Sequence, residues 1–136
     1  PSSWVSALPA RPLVGLAMDP ARLALRIESR VRCMYGEGFV EEVDDLRRRW
    51  GTFSATAGQA IGYAEVMAML EGRCTRDEAM ARTMVRTRQL AKRQRTWFRH
   101  QADVRWVEVQ DGDTPDELAE KVWGIWREYG PTGIAE

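Results

Sequence analysis

Apolar residues recur at every third or fourth position along most of this chain, which is the spacing of amphipathic helices. On this basis we predict helices over residues 20–35, 39–50, 61–70, 75–99 and 115–129. Two shorter runs, 13–18 and 104–109, are rich in apolar residues without that spacing and predict β-strands. We expect the first strand to be buried on both faces and Trp106 of the second strand to lie in the core.

Capping signals mark where several of these helices begin and end. Asp19-Pro20 opens the first helix, and Thr75 with Glu78 forms the first of two capping boxes. The second box, Thr114 with Glu117, opens the last predicted helix. Glycines follow the predicted ends of four helices: Gly36 and Gly38 end the first, and Gly51, Gly72 and Gly130 end the others.

The order of these elements places a helical region, residues 20–99, between the two strands. Neighbouring strands joined by a helical crossover run parallel. The predicted fold class is therefore mainly α with two short parallel β-strands. Two strands alone make a poor sheet, so we expect the other strands to lie outside these 136 residues. We interpret residues 1–136 as a single fragment that starts with an irregular segment of twelve residues.

The composition suits a globular chain, because 44% of the residues are hydrophobic and 29% are charged. No run approaches the roughly 20 apolar residues of a membrane span, and no secretory signal is present at the start. We therefore expect no membrane partner. Two cysteines and one histidine, widely spaced, argue against a disulfide framework and against a metal site. The expected compartment is the reducing cytoplasm.

A net charge of zero hides an uneven distribution of charged residues. Residues 82–99 contain seven basic residues and no acid, whereas residues 107–136 contain eight acids and two basic residues. A local cationic surface of this kind favours a polyanion such as RNA as partner. A solvated helix face is the simpler interpretation of the same charges.

The predicted helix 75–99 carries two distinct faces. One is apolar and is expected in the core: Met80, Met84, Thr87, Ala91 and Phe98. On an adjoining face, basic residues at positions i, i+4, i+7 and i+11 form what we call the basic stripe: Arg88, Lys92, Arg95 and Arg99. No acid within this helix segment can pair with them. Aromatic residues at 97 and 98 stand beside these cations, a combination typical of surfaces that stack bases and neutralise phosphates.

Four motifs of this sequence resemble those of the tRNA dimethylallyltransferases. R-I-x-x-R occupies residues 26–30, and G-[LF]-x-x-E-V follows at 38–43. I-G-Y occupies residues 61–63, and the longest motif, T-R-Q-L-A-K-R-Q-R-T-W-F-R, occupies residues 87–99. The resemblance covers roughly residues 12–107, and its specificity comes mainly from the longest motif.

The resemblance implies a function that needs more than this chain. Members of that family transfer a dimethylallyl group from dimethylallyl diphosphate to N6 of adenosine 37 in tRNA. The implied fold is the carboxy-terminal part of a P-loop, nucleotide-kinase-like α/β enzyme with a helical insertion. The implied partners are the tRNA anticodon stem-loop and dimethylallyl diphosphate. The implied cofactor is Mg²⁺, with its ligands outside this chain.

The resemblance also implies roles for individual residues. Arg30 matches the family residue that helps to hold the diphosphate, although a plain surface arginine is the alternative. Ala64 stands where a basic residue often follows I-G-Y, so we expect one phosphate contact to be missing. Tyr63 and Trp97 fit packing roles as well as RNA contacts. The implied tRNA contacts are Gln59, Ala60, Ile61, Gly62, Tyr63, Ala64, Arg88, Lys92, Arg93, Gln94, Arg95, Thr96, Trp97, Phe98 and Arg99.

The sequence contains no G-x-x-x-x-G-K-[ST] loop that could cradle a diphosphate. We therefore assign no catalytic and no metal-binding residue to it and expect this chain alone to be inactive. Two alternatives stay open: a non-catalytic, basic helical RNA-binding module, and a relative that prenylates free adenylate. The motif at 87–99 favours tRNA over a free nucleotide. Because strands without their full sheet expose edges and faces, we also expect self-association through the strands.

Overall fold

The computed structural model describes residues 13–51, 53–54 and 56–129. It confirms the expected fold class, mainly α with two short parallel strands. The predicted irregular segment 1–12 and the helix-ending Gly130 lie outside the described residues. The elements in chain order are β1 Leu13–Ala17, α1 Pro20–Gly36, α2 Phe39–Trp50, a single 3-10 turn Ala57–Gln59, α3 Tyr63–Leu70, α4 Arg76–Gln101, β2 Val104–Glu108 and α5 Pro115–Tyr129.

The chain divides into two compact units. The helical unit comprises residues 20–94, which include α1, α2, α3 and most of α4. The strand unit comprises, among the described residues, 13–19 and 95–129, which include both strands, the end of α4 and the whole of α5.

The core of the helical unit is built by the apolar faces of its four helices. The largest fully buried side chains are those of Tyr35, Val43 and Val66. The Tyr35 hydroxyl forms a hydrogen bond of 2.9 Å with the Thr83 hydroxyl, so its polar atom is satisfied. The other buried members of this core are Ile27, Val31, Val40, Ala79 and Met84.

Both predicted capping boxes form. The Thr75 N–H donates to the Glu78 carboxylate at 2.8 Å, and the Glu78 N–H donates to the Thr75 hydroxyl at 3.2 Å. The same two bonds join Thr114 and Glu117, at 2.7 and 3.3 Å. A hydrogen bond from a backbone N–H favours the ionised carboxylate, so the caps lower the pKa of both Glu78 and Glu117.

Helix α3 begins two residues later than predicted, because residues 61 and 62 form a turn in front of it. Gly62 has a φ of +98°, a conformation that residues with a side chain rarely adopt. A Cβ atom at this position would also lie 2.9 Å from the ring of Phe39. The I-G-Y turn therefore requires glycine for two separate reasons.

In the strand unit, β1 and β2 pair in parallel, from Leu13 opposite Val104 to Ala17 opposite Glu108. Each strand ends one residue before its predicted end. The ladder nevertheless extends by one bond, since the Val109 N–H donates to the Ala17 carbonyl oxygen at 2.7 Å. Helix α5 packs against both strands.

Two burial predictions for the strands are wrong. Leu13 and Leu16 of β1 are 48% and 52% exposed, so this strand is not buried on both faces. Trp106 of β2 is 36% exposed, and its ring lies over Gly15, where a Cβ atom would approach it to 2.7 Å. An apolar strand is buried on both faces only when other elements cover both. The apolar composition of a strand therefore does not show whether other elements cover it.

Candidate nucleic-acid interface

The basic stripe lies along α4 as the sequence predicts. Arg88, Lys92 and Arg99 are exposed, and Arg95 is half-buried. In the described part of the chain, none of these four side chains forms an ion pair or a hydrogen bond with another side chain. An ordinary solvated face mixes both signs of charge. This stripe instead presents only cations, which suits a polyanion.

The face of α4 that adjoins the basic stripe faces the core, although its buried residues are not all the predicted ones. Met84 is buried, and Met80, Thr87 and Ala91 are half-buried, as expected. Phe98 is exposed, so its predicted place in the core is wrong. The sequence analysis missed Ala79 and Thr83, which are buried. Small and polar residues carry little hydrophobic signal, and only the close approach of neighbouring helices reveals them as core positions.

Two aromatic rings lie at the carboxyl end of α4. Trp97 is 55% exposed, and Phe98 is exposed as well. The ring centroids lie 4.9 Å apart with an angle of 89° between the planes, an edge-to-face contact. Trp97 is therefore only partly packed, and more than half of its surface is open to solvent. The neighbouring residues of the 87–99 motif are also exposed: Arg93, Gln94 and Thr96.

The segment 59–64 presents only part of its length to solvent. Gln59 and Ala60 are exposed, whereas Gly62 is buried. The other three residues are half-buried: Ile61, Tyr63 and Ala64. Contact with a large ligand is therefore open mainly to the first two positions of this segment.

Tyr63 is fixed by its neighbours. Its ring makes edge-to-face contacts with Phe39 and Phe53, each with centroids 5.7 Å apart. Its hydroxyl donates to the Glu42 carboxylate at 3.0 Å, and this bond to an anion raises the pKa of Tyr63. The packing interpretation of Tyr63 thus has direct structural support.

An ion pair between a buried glutamate and a half-buried arginine, next to the I-G-Y turn, was not predicted. Glu65 of α3 is 6% exposed, and its carboxylate lies 2.6 Å from Arg86 Nη1 of α4. The two residues are 21 positions apart in the sequence, so no local pattern pairs them. The only signal in the sequence is an acid within the otherwise apolar segment that forms α3.

Arg30, the residue matched to diphosphate binding, is exposed on α1. No cluster of three or more His, Cys, Asp or Glu side chains that could hold a metal ion occurs among the residues described above. These residues on their own do not fit a Mg²⁺ site, and we derive no step through a metal. In the part of the chain that the structure describes, no helix has the length and apolar character needed to cross a membrane.

A comparison against protein families covers the residues of all four motifs. The family model described as IPP transferase matches residues 6–101. This chain belongs to the IPP transferase family. The resemblance that the four motifs indicate is thereby confirmed.

Relatives that share this sequence are tRNA dimethylallyltransferases. The tRNA dimethylallyltransferase of Kineococcus radiotolerans is 41% identical over 109 residues, which are 80% of this chain and 34% of that protein. The tRNA dimethylallyltransferase of Corynebacterium efficiens is 45% identical over 103 residues, 75% of this chain and 34% of that protein. The chain thus spans about a third of the length of the curated relatives it matches.

Solved structures of the family share this fold. The tRNA delta(2)-isopentenylpyrophosphate transferase of Staphylococcus epidermidis superposes with a TM-score of 0.76 at 30% identity, over 85% of this chain and 37% of that one. The tRNA isopentenylpyrophosphate transferase of Bacillus halodurans gives a TM-score of 0.75 at 36% identity, over 87% of this chain and 40% of that one. The likeness therefore extends over both units of the chain, in sequence and in fold.

Proposed function

We propose that this chain forms the carboxy-terminal part of an enzyme that transfers a dimethylallyl group from dimethylallyl diphosphate to N6 of adenosine 37 in tRNA. The observation that carries the proposal is the basic stripe, whose cations lack acidic partners among the described residues. The stripe lies within the longest family motif, and the matched relatives are tRNA dimethylallyltransferases.

The geometry of the stripe suits an RNA backbone. From Arg88 to Arg99 the helix rises about 16 Å, a length that runs along several phosphates. The anticodon stem-loop is the proposed partner, with its backbone on Arg88, Lys92, Arg95 and Arg99. Trp97 and Phe98, exposed at the end of α4, are the rings proposed to stack on a base that has left its stack. Such exposure of the target base is needed, because N6 is not accessible inside stacked RNA.

The second proposed contact surface is the segment 59–64. Its exposed residues, Gln59 and Ala60, supply the side chains that face the RNA. The packed ring of Tyr63 and the buried Gly62 set the shape of the turn. The remaining proposed contacts are Ile61, Ala64, Arg93, Gln94 and Thr96.

In the proposed reaction the adenine N6 attacks C1 of dimethylallyl diphosphate. The N6–C1 bond forms, the bond from C1 to the diphosphate oxygen breaks, and the amine gives up a proton to a base. Arg30, which is exposed, is the residue we propose for the charge of the leaving diphosphate. We assign no general base to the described residues.

The remaining functions of the enzyme are proposed to lie elsewhere in it. They are the P-loop, the general base and the ligands of Mg²⁺, for which this sequence offers no motif. The 136 residues alone should then show no prenyl transfer. We propose the cytoplasm as the compartment, in line with the reduced state expected of the two cysteines.

We also propose that copies of this chain associate through the strand unit. The side chains of Leu13, Leu16 and Trp106 leave apolar surface exposed on both strands. Association with the same surface of a second copy would remove these apolar side chains from water, which is favourable.

The experiment that tests the RNA surface measures affinity for a synthetic anticodon stem-loop at several salt concentrations. Four neutralised phosphates give a log–log slope of about −3 to −4. Lys92→Ala should lower the size of this slope by about 1 and weaken binding to all sequences alike. Arg127→Ala, which removes an exposed cation from the acidic α5, is the matched control and should leave the slope unchanged. A slope that is insensitive to substitutions along the whole stripe would show that it is only a solvated face.

A further inference from the structure

Glu65 and Arg86, two charged residues that are not among the proposed RNA contacts, form an ion pair next to the I-G-Y turn. Arg86 Nη1 donates to Glu65 Oε1 at 2.6 Å, and Arg86 Nη2 donates to the carbonyl oxygen of Gln59 at 3.2 Å. The other carboxylate oxygen, Glu65 Oε2, accepts the N–H of Gly62 at 2.8 Å. We call these three hydrogen bonds the bracket. They link residue 59 to Arg86 of α4 and residue 62 to Glu65 of α3, and they link the two charged side chains to each other.

The bracket holds the backbone of the turn and leaves its side chains free. Its bonds end on the carbonyl of residue 59 and the N–H of residue 62, while the side chains of Gln59 and Ala60 stay exposed. The Gly62 N–H lies at the start of α3, where a helix has no internal acceptor for it. Glu65 supplies that acceptor from within the first turn of the same helix.

The chemistry of the bracket depends on both charges. A carboxylate can accept one bond on each oxygen, whereas an amide has a single acceptor oxygen. A guanidinium can donate in two directions from its fixed fork, whereas an ammonium is a point charge. Because Glu65 is buried, removing its cation would also leave an uncompensated charge.

We propose that Glu65 and Arg86 are positioning residues for tRNA binding. They hold the segment 59–62 in the conformation that presents Gln59 and Ala60 to the RNA, and they connect that segment to the helix that carries the basic stripe. This inference rests on the proposed function. In this proposal Arg86 differs from the basic stripe of α4, because its guanidinium pairs with Glu65 and does not bind a phosphate.

The test compares Arg86→Lys with Arg82→Lys, an exposed arginine one turn earlier on α4. Both substitutions keep the charge, so neither should change the salt slope for the synthetic anticodon stem-loop. Arg86→Lys should weaken binding about tenfold, because the lost bonds involve charged groups. Arg82→Lys should bind like the unsubstituted protein. Circular dichroism at the assay temperature verifies that each variant is folded.

A second readout needs no RNA. Amide hydrogen exchange of Gly62 reports directly on the turn, and it should become faster in Arg86→Lys and in Glu65→Gln. The amide of Val43, in the core of the helical unit, should keep its protection in both variants. A merely global loss of stability would speed exchange at both positions alike.

Each contrary outcome overturns a defined part of the inference. Wild-type affinity in Arg86→Lys, together with a salt slope reduced by about 1 in Arg86→Ala, would make Arg86 a phosphate contact. Unchanged exchange at Gly62 in Glu65→Gln would show that the bracket does not hold the turn. If the unsubstituted protein fails to bind the stem-loop, the proposed function fails and the positioning role fails with it. The exchange experiment still reports the bracket in that case, so the two failures are distinguishable.

Discussion

The helical unit and the strand unit cover their apolar residues to different extents. In the helical unit, Tyr35, Val43 and Val66 are fully buried among four helices. In the described part of the strand unit, Val107 is the one buried hydrophobic residue. Leu16 and Trp123 of the same unit are each more than half exposed. Four helices enclose a core between them, whereas two strands and one helix leave apolar surface uncovered.

Local stabilisation does not explain this difference. A threonine–glutamate capping box opens α4 in the helical unit, and an equivalent box opens α5 in the strand unit, with similar bond lengths. Both helices are also amphipathic by the spacing of their residues. The two units therefore differ in the elements available for packing, and not in the capping of their helices.

The largest expected effect comes from a cavity in the helical core. Tyr35→Ala removes a fully buried ring and should lower the free energy of unfolding by about 3–5 kcal/mol. Leu16→Ala in the strand unit should cost only about 1 kcal/mol, because its side chain is half exposed. Urea unfolding followed by circular dichroism measures both. An equal loss of unfolding free energy in the two variants would contradict the difference in packing between the units.

A smaller effect is expected on self-association. If apolar surface of the strand unit is covered by a second copy, sedimentation should show a dimer that dissociates on dilution. Leu16→Lys places a charge in that contact and should raise the dissociation constant about tenfold or more. Leu25→Lys, at an exposed leucine of the helical unit, is the matched control and should leave association unchanged. A protein that stays monomeric at high concentration would contradict the proposed contact.

The smallest effect concerns the two caps and their dependence on pH. The pKa of Glu78 and that of Glu117 are lowered from an ordinary value of 4.5 by backbone hydrogen bonds. Each cap therefore stabilises the fold fully above that ordinary value and loses its contribution as the pH falls through the lowered pKa.

Glu78→Gln and Glu117→Gln should each remove part of the acid-dependent loss of stability. Urea unfolding at a series of pH values between about 6 and 2 measures this loss. Because the backbone hydrogen bonds of the two boxes match, the two variants should respond in the same direction. A clear response in only one unit would show that packing, and not the cap alone, controls the helix start there.

Sequence patterns predicted most of the helices and one face of the candidate site. The spacing that places Arg88, Lys92 and Arg99 on one side of α4 is a property of a single helix, and the structure exposes all three. Burial was predicted less well, as the exposed Phe98 shows. Whether an apolar residue is covered depends on elements distant in the sequence.

The Glu65–Arg86 pair shows the same limit for charged residues. An acid in an apolar helix signals that a partner is needed, but its partner lies 21 residues away on another helix. Only the tertiary structure brings the two charges to 2.6 Å and places the Glu65 carboxylate next to the N–H of residue 62.

The sequence by itself determined which segments are helical, which side of α4 carries cations and which family the motifs resemble. These features depend on residues a few positions apart, and helical geometry relates such residues directly. The tertiary structure decided which apolar residues are covered, which arginine is committed to a buried acid and how residue 62 is held. Those features depend on contacts between segments that are distant in the sequence. Such contacts stabilise the fold only after the helices have packed together.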